Sequence, residues 1–325
     1  MNAAILVTGG AGFIGSAYVR YLLSPRGPGG TAVTVLDKLT YAGSLARLHA
    51  VRDHPDLTFV QGDVCDASLV DALARRHDQI VHFAAESHVD RSIADGGAFT
   101  RTNVLGTQVL LDAALRHGVG TFVHVSTDEV YGSLPQGAAK ESDPLRPTSP
   151  YAASKAASDL IALAHHRTHG LDVRVTRCSN NFGPRQHPEK LIPRFLARLL
   201  SGGTVPLYGD GRYERDWLYV DDHVRAVELV RVSGRPGEVY NIGGGTSLSN
   251  LQLTHRLLAL CGAVPERIEH VEDRKGHDRR YAVDHSKITA ELGYRPRTDF
   301  AAALAETAQW YERHADWWRP LLASA

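Results

Sequence analysis

The 325-residue sequence predicts an α/β fold, a doubly wound parallel sheet with a smaller C-terminal α/β lobe. Three observations carry that prediction. Short apolar, β-branched runs alternate with amphipathic helical stretches through the first half of the chain, which is the pattern of a parallel sheet covered on both faces. The first run, Ala3-Ala4-Ile5-Leu6-Val7-Thr8, passes directly into Gly9-Gly10-Ala11-Gly12-Phe13-Ile14-Gly15 and then into helical spacing. After Cys178 the alternation stops, and the length favours two lobes over one core.

Taken in order, the elements make the first half a Rossmann-type nucleotide-binding lobe. The run ending at Thr8 reads as a strand buried on both faces. Gly9, Gly12 and Gly15 then let the backbone approach a pyrophosphate, with Phe13 and Ile14 opening a helix whose N-terminus supplies N–H donors. Ala32–Asp37 is the second strand; Asp37 follows Gly15 by 22 residues, the position of a carboxylate for the adenosine ribose. That charge would repel a 2′-phosphate and favours NAD over NADP, although the adjacent Lys38 could attract one. Leu57–Gln61 is the third strand, and Asp63 beyond it either meets the adenine or caps the helix starting near Ser68. Gln79–Phe83 is the fourth, closed by the small residues Ala84 and Ala85, and Thr121–Ser126 is the fifth. Helices are expected over Phe13–Leu23, Ser68–Arg76 and Ala98–Arg116. Ligands bind outside the carboxyl ends of such strands, where Ala84, Thr127 and Asp128 fall. The polar run Glu86–Ser92 is either a solvated loop capping the next helix or a contact surface through Ser87 and His88.

Composition narrows the partners. Lys plus Arg and Asp plus Glu both number 36, a net charge of zero, which argues against nucleic acid or a membrane surface held by bulk charge. Cys65, Cys178 and Cys261 are widely spaced and odd in number; they suggest neither a metal site nor a disulfide framework, and point to a reducing cytosol. Residues 1–8 read as a strand, not a leader, and no apolar run has the length of a membrane span.

The chemistry is expected at Ser126-Thr127-Asp128-Glu129-Val130-Tyr131-Gly132 and Tyr151-Ala152-Ala153-Ser154-Lys155. Tyr151 and Lys155 share a helix face. A free tyrosine ionises near pH 10; a nearby ammonium and a nicotinamide cation favour the phenolate. Tyr151 could then take a proton from a substrate hydroxyl during oxidation, with Lys155 also reaching the nicotinamide ribose. Alcohol oxidation alone does not require Asp128 and Glu129. Two carboxyls with divided roles suit an elimination, one removing a proton beside a carbonyl and the other protonating a leaving hydroxyl.

With these motifs the chain resembles the dTDP-glucose 4,6-dehydratases of the extended short-chain dehydrogenase/reductase superfamily, over nearly its whole length. Further motifs that carry the resemblance are Asp37–Gly43, Ala84–Ser92, Ser179–Pro184, Pro188–Pro193 and Asp273–Asp278. The resemblance implies a 4-hydroxyl oxidised with Tyr151 as base, a C5 proton removed by Glu129, a 6-hydroxyl protonated by Asp128, and hydride returned to C6, with Thr127 on the 4-oxygen. It adds Leu39, Thr40, Gly43, Val64, Phe83, Ser87, Thr102, Ser126, Cys178 and Asn181 to the NAD site. To the nucleotide-sugar site it assigns Ser87, His88, Asn180, Lys190, Leu191, Pro206, Tyr208, Arg215, Asn250, Arg274, His277 and Tyr281. Arg215 and Arg274 look like a clamp on the diphosphate, for which a planar fork is suited, while Asn250 is as readily a helix cap. No metal is implied. Related 4-epimerases and UDP-glucuronate decarboxylases lack the Asp-Glu pair, and a binding protein without activity would not need it. Phe182, Asp216 and Ser247 depart from the common pattern, where Tyr, Glu and Glu are frequent.

Domain boundaries follow. Residues 1–178 form the nucleotide lobe, rejoined by about 221–245; residues 179–220 and 246–325 form the sugar-nucleotide lobe. A tail helix ends near Trp310, and Trp317-Trp318 reads as packing. By resemblance, helices near Ala98–Arg116 and Tyr151–His169 pair with their copies in a homodimer.

Overall fold

The computed structural model describes residues 3–273 and 276–322. Strands β1 (Ala4–Thr8), β2 (Ala32–Asp37), β3 (Leu57–Gln61), β4 (Gln79–His82), β5 (Thr121–Thr127) and β6 (Val173–Cys178) lie side by side in the order β6-β5-β4-β1-β2-β3, every pairing parallel. In β1, β4, β5 and β6 the apolar residues are buried on both faces, as a sheet covered twice requires, while the edge strand β3 is only half-buried. The strand order reverses between β1 and β4, the crevice where such sheets take their ligands.

Helix α1 (Phe13–Leu22) covers one face. Helices α2 (Ala67–Ala74), α5 (Gly106–His117) and α6 (Pro150–His169) cover the other. Between α2 and α5 lie two short turns, α3 (Val89–Ala94) and α4 (Gly96–Phe99), and a π-helical stretch, Thr100–Leu105. The helix expected over Ala98–Arg116 is present as one continuous run from Gly96 to His117, with a π-helical stretch inside it. Asn103 explains the extra residue in the turn: its side chain bonds Glu86 N, Glu86 O and Ser154 Oγ at 2.8, 3.0 and 2.9 Å, and π-bulges of this kind gather at functional sites.

Beyond β6 the chain crosses to a second lobe. Strand β7 (Asn180–Phe182) pairs with β9 (Glu214–Tyr219); helix α7 (Leu191–Leu200) and β8 (Val205–Tyr208) lie between them in sequence. Helix α8 (Val220–Ser233) then returns to pack on α1, and β10 (Val239–Ile242) joins the edge of the main sheet beside β6. Strands β11 (Ser247–Ser249), β12 (Ile268–Val271) and β13 (Arg280–Tyr281) complete the small sheets with helix α9 (Asn250–Leu260). After α10 (Ser286–Leu292), α11 (Phe300–Arg313) ends three residues past Trp310, and a further helix, α12 (Ala315–Leu322), follows it. Trp318 is buried in α12 and donates its indole N–H to Tyr311 O at 2.7 Å. The second lobe has its own core around Phe195, Leu196, Trp217, Leu253 and Tyr311.

Candidate active site

The cleft lies where the carboxyl ends of β1, β4, β5 and β6 face the second lobe, lined from Gly9 and Gly12 through Thr127, Asp128 and Tyr151 to Asn181 and Lys190. Its floor is backbone. Gly9 takes φ +70°, and a Cβ there would sit 2.6 Å from Ala84 N; a Cβ on Gly15 would sit 2.2 Å from Gly9 O. Only glycine fits this turn, which leaves bare backbone beneath the N-terminus of α1, the arrangement that receives a pyrophosphate. Ser126 Oγ, Asp128 Oδ2 and Asn180 Oδ1 are buried beside it with no hydrogen-bond partner among the described residues. A polar ligand would satisfy them, so the residues present fit a dinucleotide lying against a hydroxylated substrate.

Thr127 ends β5 and caps a 3₁₀ turn over Asp128–Tyr131, its Oγ1 accepting from Glu129 N at 3.3 Å. The turn aims two successive carboxyls into the cleft. Thr127 Oγ1 also donates to Asp128 Oδ1 at 3.3 Å. Burial, and then the charges of Glu129 and Asp216, push the Asp128 carboxyl well above its ordinary value, with Arg215 pulling the other way. Its surroundings therefore favour the protonated form of Asp128 over the carboxylate. Asp216, where Glu is frequent, is held on β9 by Gly244 N and Thr246 N at 3.0 and 2.9 Å.

Tyr151 occupies the first turn of α6, which begins sharply because Ser149 caps it through Ala152 N at 3.1 Å and Pro150 fills N1. One turn on, Lys155 donates to Val125 O at 2.9 Å and lies 3.5 Å from His124 Nε2. Burial lowers its ammonium to about 8 against the pull of Asp159. Burial and then Glu129 raise the Tyr151 phenol well above its ordinary value, and a hydrogen bond with Thr127 lowers it.

Several residues under the site lie outside the sequence expectations. His124, in the middle of an apolar strand, sits 3.3 Å from Asp159 Oδ1; Arg177 Nε donates to Asp159 Oδ2 at 2.9 Å, and its Nη1 to Tyr131 OH at 2.9 Å. Burial opposes the Asp159 charge, yet His124 and Arg177 hold its carboxyl below the ordinary value. A histidine inside an apolar strand was the available signal; Asn103 and Asp159, on helices, gave none.

Other expected site residues are placed as follows. Asp37 accepts from Ala11 N at 2.9 Å and Leu39 N at 2.8 Å, tying the glycine loop to the loop carrying Leu39, Thr40 and Gly43. Lys38 is paired with Asp63 at 2.8 Å. Asp63 does not cap α2: Asp66 does, accepting from Ser68 N and Leu69 N. Val64 is buried against Gly106, and Thr102 lies in the π-helical stretch. Phe83, Ala85, Ser87, Cys178, Asn181, Lys190 and Leu191 line the cleft, and Ala84 packs on Gly9. Lys190 precedes α7 and donates to Ser87 O at 2.7 Å. His88 caps α3 through Arg91 N, 3.4 Å away, and approaches Glu189 at 3.8 Å; burial and Lys190 lower its pKa.

Pro206, Tyr208, Arg215, Asn250, His277 and Tyr281 form a second wall, outside the residues lining the main cleft. His277 stacks on Tyr213 at 3.7 Å and meets Tyr208 edge-on. Arg215 is buried, lies over the Tyr281 ring at 4.4 Å and donates to Asp278 O at 2.9 Å. Asn250 is not the helix cap; Ser249 caps α9 in a reciprocal pairing with Gln252. Arg274 lies outside the described residues. Phe182 packs among Trp217, Tyr219 and Phe300, and Ser247 is exposed on β11. Among the described residues no group of side chains could hold a metal ion, and no helix is long and apolar enough to cross a membrane.

Known proteins place this geometry. The family model described as GDP-mannose 4,6 dehydratase matches residues 6–307. A dTDP-glucose 4,6-dehydratase of Streptomyces griseus is 62% identical over 99% of this chain and 98% of its own. The crystal structure of the Streptomyces venezuelae dTDP-glucose 4,6-dehydratase with NAD and dTDP bound superposes with a TM-score of 0.96 at 59% identity, covering 98% of this chain and 99% of that one. A Thermotoga maritima UDP-glucose 4-epimerase structure shares the fold at TM-score 0.89 and 32% identity, covering 96% and 99%. The chain belongs to the GDP-mannose 4,6-dehydratase family and, within it, to the dTDP-glucose 4,6-dehydratases.

Proposed function

We propose that this chain is a hydro-lyase that converts dTDP-glucose to dTDP-4-keto-6-deoxyglucose and water, for deoxysugar biosynthesis. The observation that carries the reading is Asp128: a buried carboxyl with a raised pKa, beside Glu129 at the end of β5, in the same cleft as Tyr151. The 62% identity to a dTDP-glucose 4,6-dehydratase over nearly the whole chain supports it.

NAD, held by Gly9, Gly12, Gly15, Asp37, Lys155 and their neighbours, supplies a hydride acceptor that is regenerated within each turnover. The remaining chemistry falls to the side chains. Tyr151 accepts the 4-hydroxyl proton while Thr127 holds the 4-oxygen. Once C4 is a ketone, the C5 proton is acidic and Glu129 removes it. Asp128 gives its proton to the departing 6-hydroxyl, which leaves as water. Asn180 and Lys190 steady the sugar nucleotide from one side, and Arg215 favours its diphosphate from the other. The first lobe, residues 1–178 with about 221–245, holds the cofactor; residues 179–220 and 246–325 hold the sugar nucleotide. The protein works in the cytoplasm as a homodimer.

Incubating purified protein with dTDP-glucose tests the reading. The 4-keto product, seen by its absorbance in alkali, is expected; its absence rules the assignment out.

A further inference from the structure

Arg47 is 1% exposed, in a 3₁₀ turn over Leu45–Val51, and it lines the cofactor cleft. Among the described residues no carboxylate lies within ion-pair distance of it. Its fork is spent on carbonyls. Nη1 donates to Ala42 O at 2.6 Å and Ala11 O at 3.3 Å, and Nε donates to Arg185 O at 2.9 Å. Nη2 makes no hydrogen bond to the described residues. The guanidinium lies 5.3 Å from the Trp317 ring centre, and Arg47 O accepts from Arg20 Nη1 at 2.8 Å.

Those three carbonyls belong to the three segments that surround the cofactor. Ala11 is in the glycine turn, Ala42 is in the loop after β2, and Arg185 follows β7 on the opposite side of the cleft. Among the described residues, two non-glycine positions have positive φ, Leu39 at 57° and Arg185 at 70°. Each lies in a loop that Arg47 grips. Strained backbone persists where its surroundings over-determine it, and a buried fork holding the loops from both sides supplies such surroundings. An arginine charge in this place, buried but still felt by Asp37 and Glu189, also complements a ligand carrying two phosphates.

Building on the NAD-dependent reading, we propose that Arg47 is a positioning residue that clasps the cleft shut over the cofactor and slows its departure. NAD can leave only when the loop after β2 and the segment at Arg185 part, and that parting breaks the Arg47 contacts. The clasp acts on the dissociation rate.

The test uses the full chain loaded with NAD⁺, the bound cofactor exchanged against radiolabelled NAD⁺. Arg47→Met keeps the stem and removes the fork; it is expected to release NAD at least tenfold faster. Arg47→Lys keeps the charge but has one nitrogen where the contacts need two, Nε towards Arg185 O and Nη1 towards Ala42 O and Ala11 O, and is expected to behave like Arg47→Met. It carries the test if the methionine variant does not fold. The rise in melting temperature on adding NAD⁺ to stripped protein provides a second reading. It should shrink in both variants, whereas a purely structural role would lower the stripped and loaded forms equally. Release at the wild-type rate, or full retention by Arg47→Lys, overturns the clasp. Faster release from a chain that makes no keto product would support the clasp while removing the substrate assignment.

Discussion

Asp128 and Glu129 are adjacent in sequence and opposite in task, and the difference comes from their surroundings. Asp128 is buried and faces two other acids, which favours its protonated form; Glu129 is less enclosed, at the bend of the 3₁₀ turn. Asp128→Asn keeps a hydrogen-bond donor but has no proton to give. We expect keto-product formation to fall by about 10²–10⁴-fold, the range for a lost general acid, while the absorbance of reduced cofactor shows that C4 oxidation continues. Glu129→Gln should also oxidise C4 yet fail to exchange the C5 hydrogen with deuterated solvent; rapid exchange would reassign the base. Lys155 adds a pH dependence. Its ammonium is lowered to about 8, and Asp128 is raised, so both lose a needed proton as pH rises. Turnover should decline on the alkaline side from near pH 8, and a flat profile through pH 10 would show that neither charge state matters. The same burial sets a stability cost. Since the folded pKa lies below the unfolded 10.5, the charged form is disfavoured by folding, and stability from this group rises as pH climbs from about 8 towards 10.5. At neutral pH the cost is about 3 kcal/mol. Lys155→Met should lose activity and melt higher in a calorimeter.

The elements deliver these groups through a few local devices. The glycine turn is the most exacting. Gly15→Ala places a methyl 2.2 Å from Gly9 O, so the turn must open and the start of α1 must shift. The expected result is a protein that folds but no longer retains NAD through gel filtration, measured by the cofactor released on denaturation. That turn was legible because strand, glycines and helix follow one another without a gap, and each step is local. Strands β2 and β3 were read to their end residues for the same reason: β-branched runs bounded by turn residues carry a local signal. The π-helical stretch leading into α5 was not legible. It depends on Asn103 reaching Glu86 and Ser154, contacts between parts of the chain far apart in sequence. Caps went astray by one to three residues at Asp66 and Ser249, since Asp63 and Asn250 have equally good side chains and tertiary packing decides which turn begins. In the candidate site, motif residues with a backbone reason to be there were readable. The His124–Asp159–Arg177 layer beneath them was not, because a buried charge network is specified by three-dimensional neighbours.

At the scale of the whole molecule, the main sheet divides the labour of its two faces. The α1–α8 side packs a continuous apolar core, while α5 and α6 bury one side against the sheet and leave the other to solvent. Among the described residues, four of the eight exposed large apolar side chains, Ile93, Leu105, Leu115 and Leu160, belong to the stretch α3–α5 or to α6; Leu45, Val232, Leu260 and Val264 lie elsewhere. Leu160 is 59% exposed in the middle of a 20-residue helix. Clustered apolar exposure on one layer marks an interaction surface, and a two-fold arrangement would use each residue twice, so that one substitution acts at two places. With the proposed homodimer built on α5 and α6, Leu160→Glu puts two carboxylates into an apolar contact. The dissociation constant measured by sedimentation equilibrium should rise at least tenfold. The melting temperature should also become independent of protein concentration once the protein is monomeric, because no association remains to stabilise the fold by mass action. A Leu160→Glu protein that sediments as wild type does would place the interface elsewhere. If the variant is monomeric but still retains NAD, the cleft is complete within one chain, as expected from a cofactor cradle and an Arg47 clasp drawn entirely from one copy.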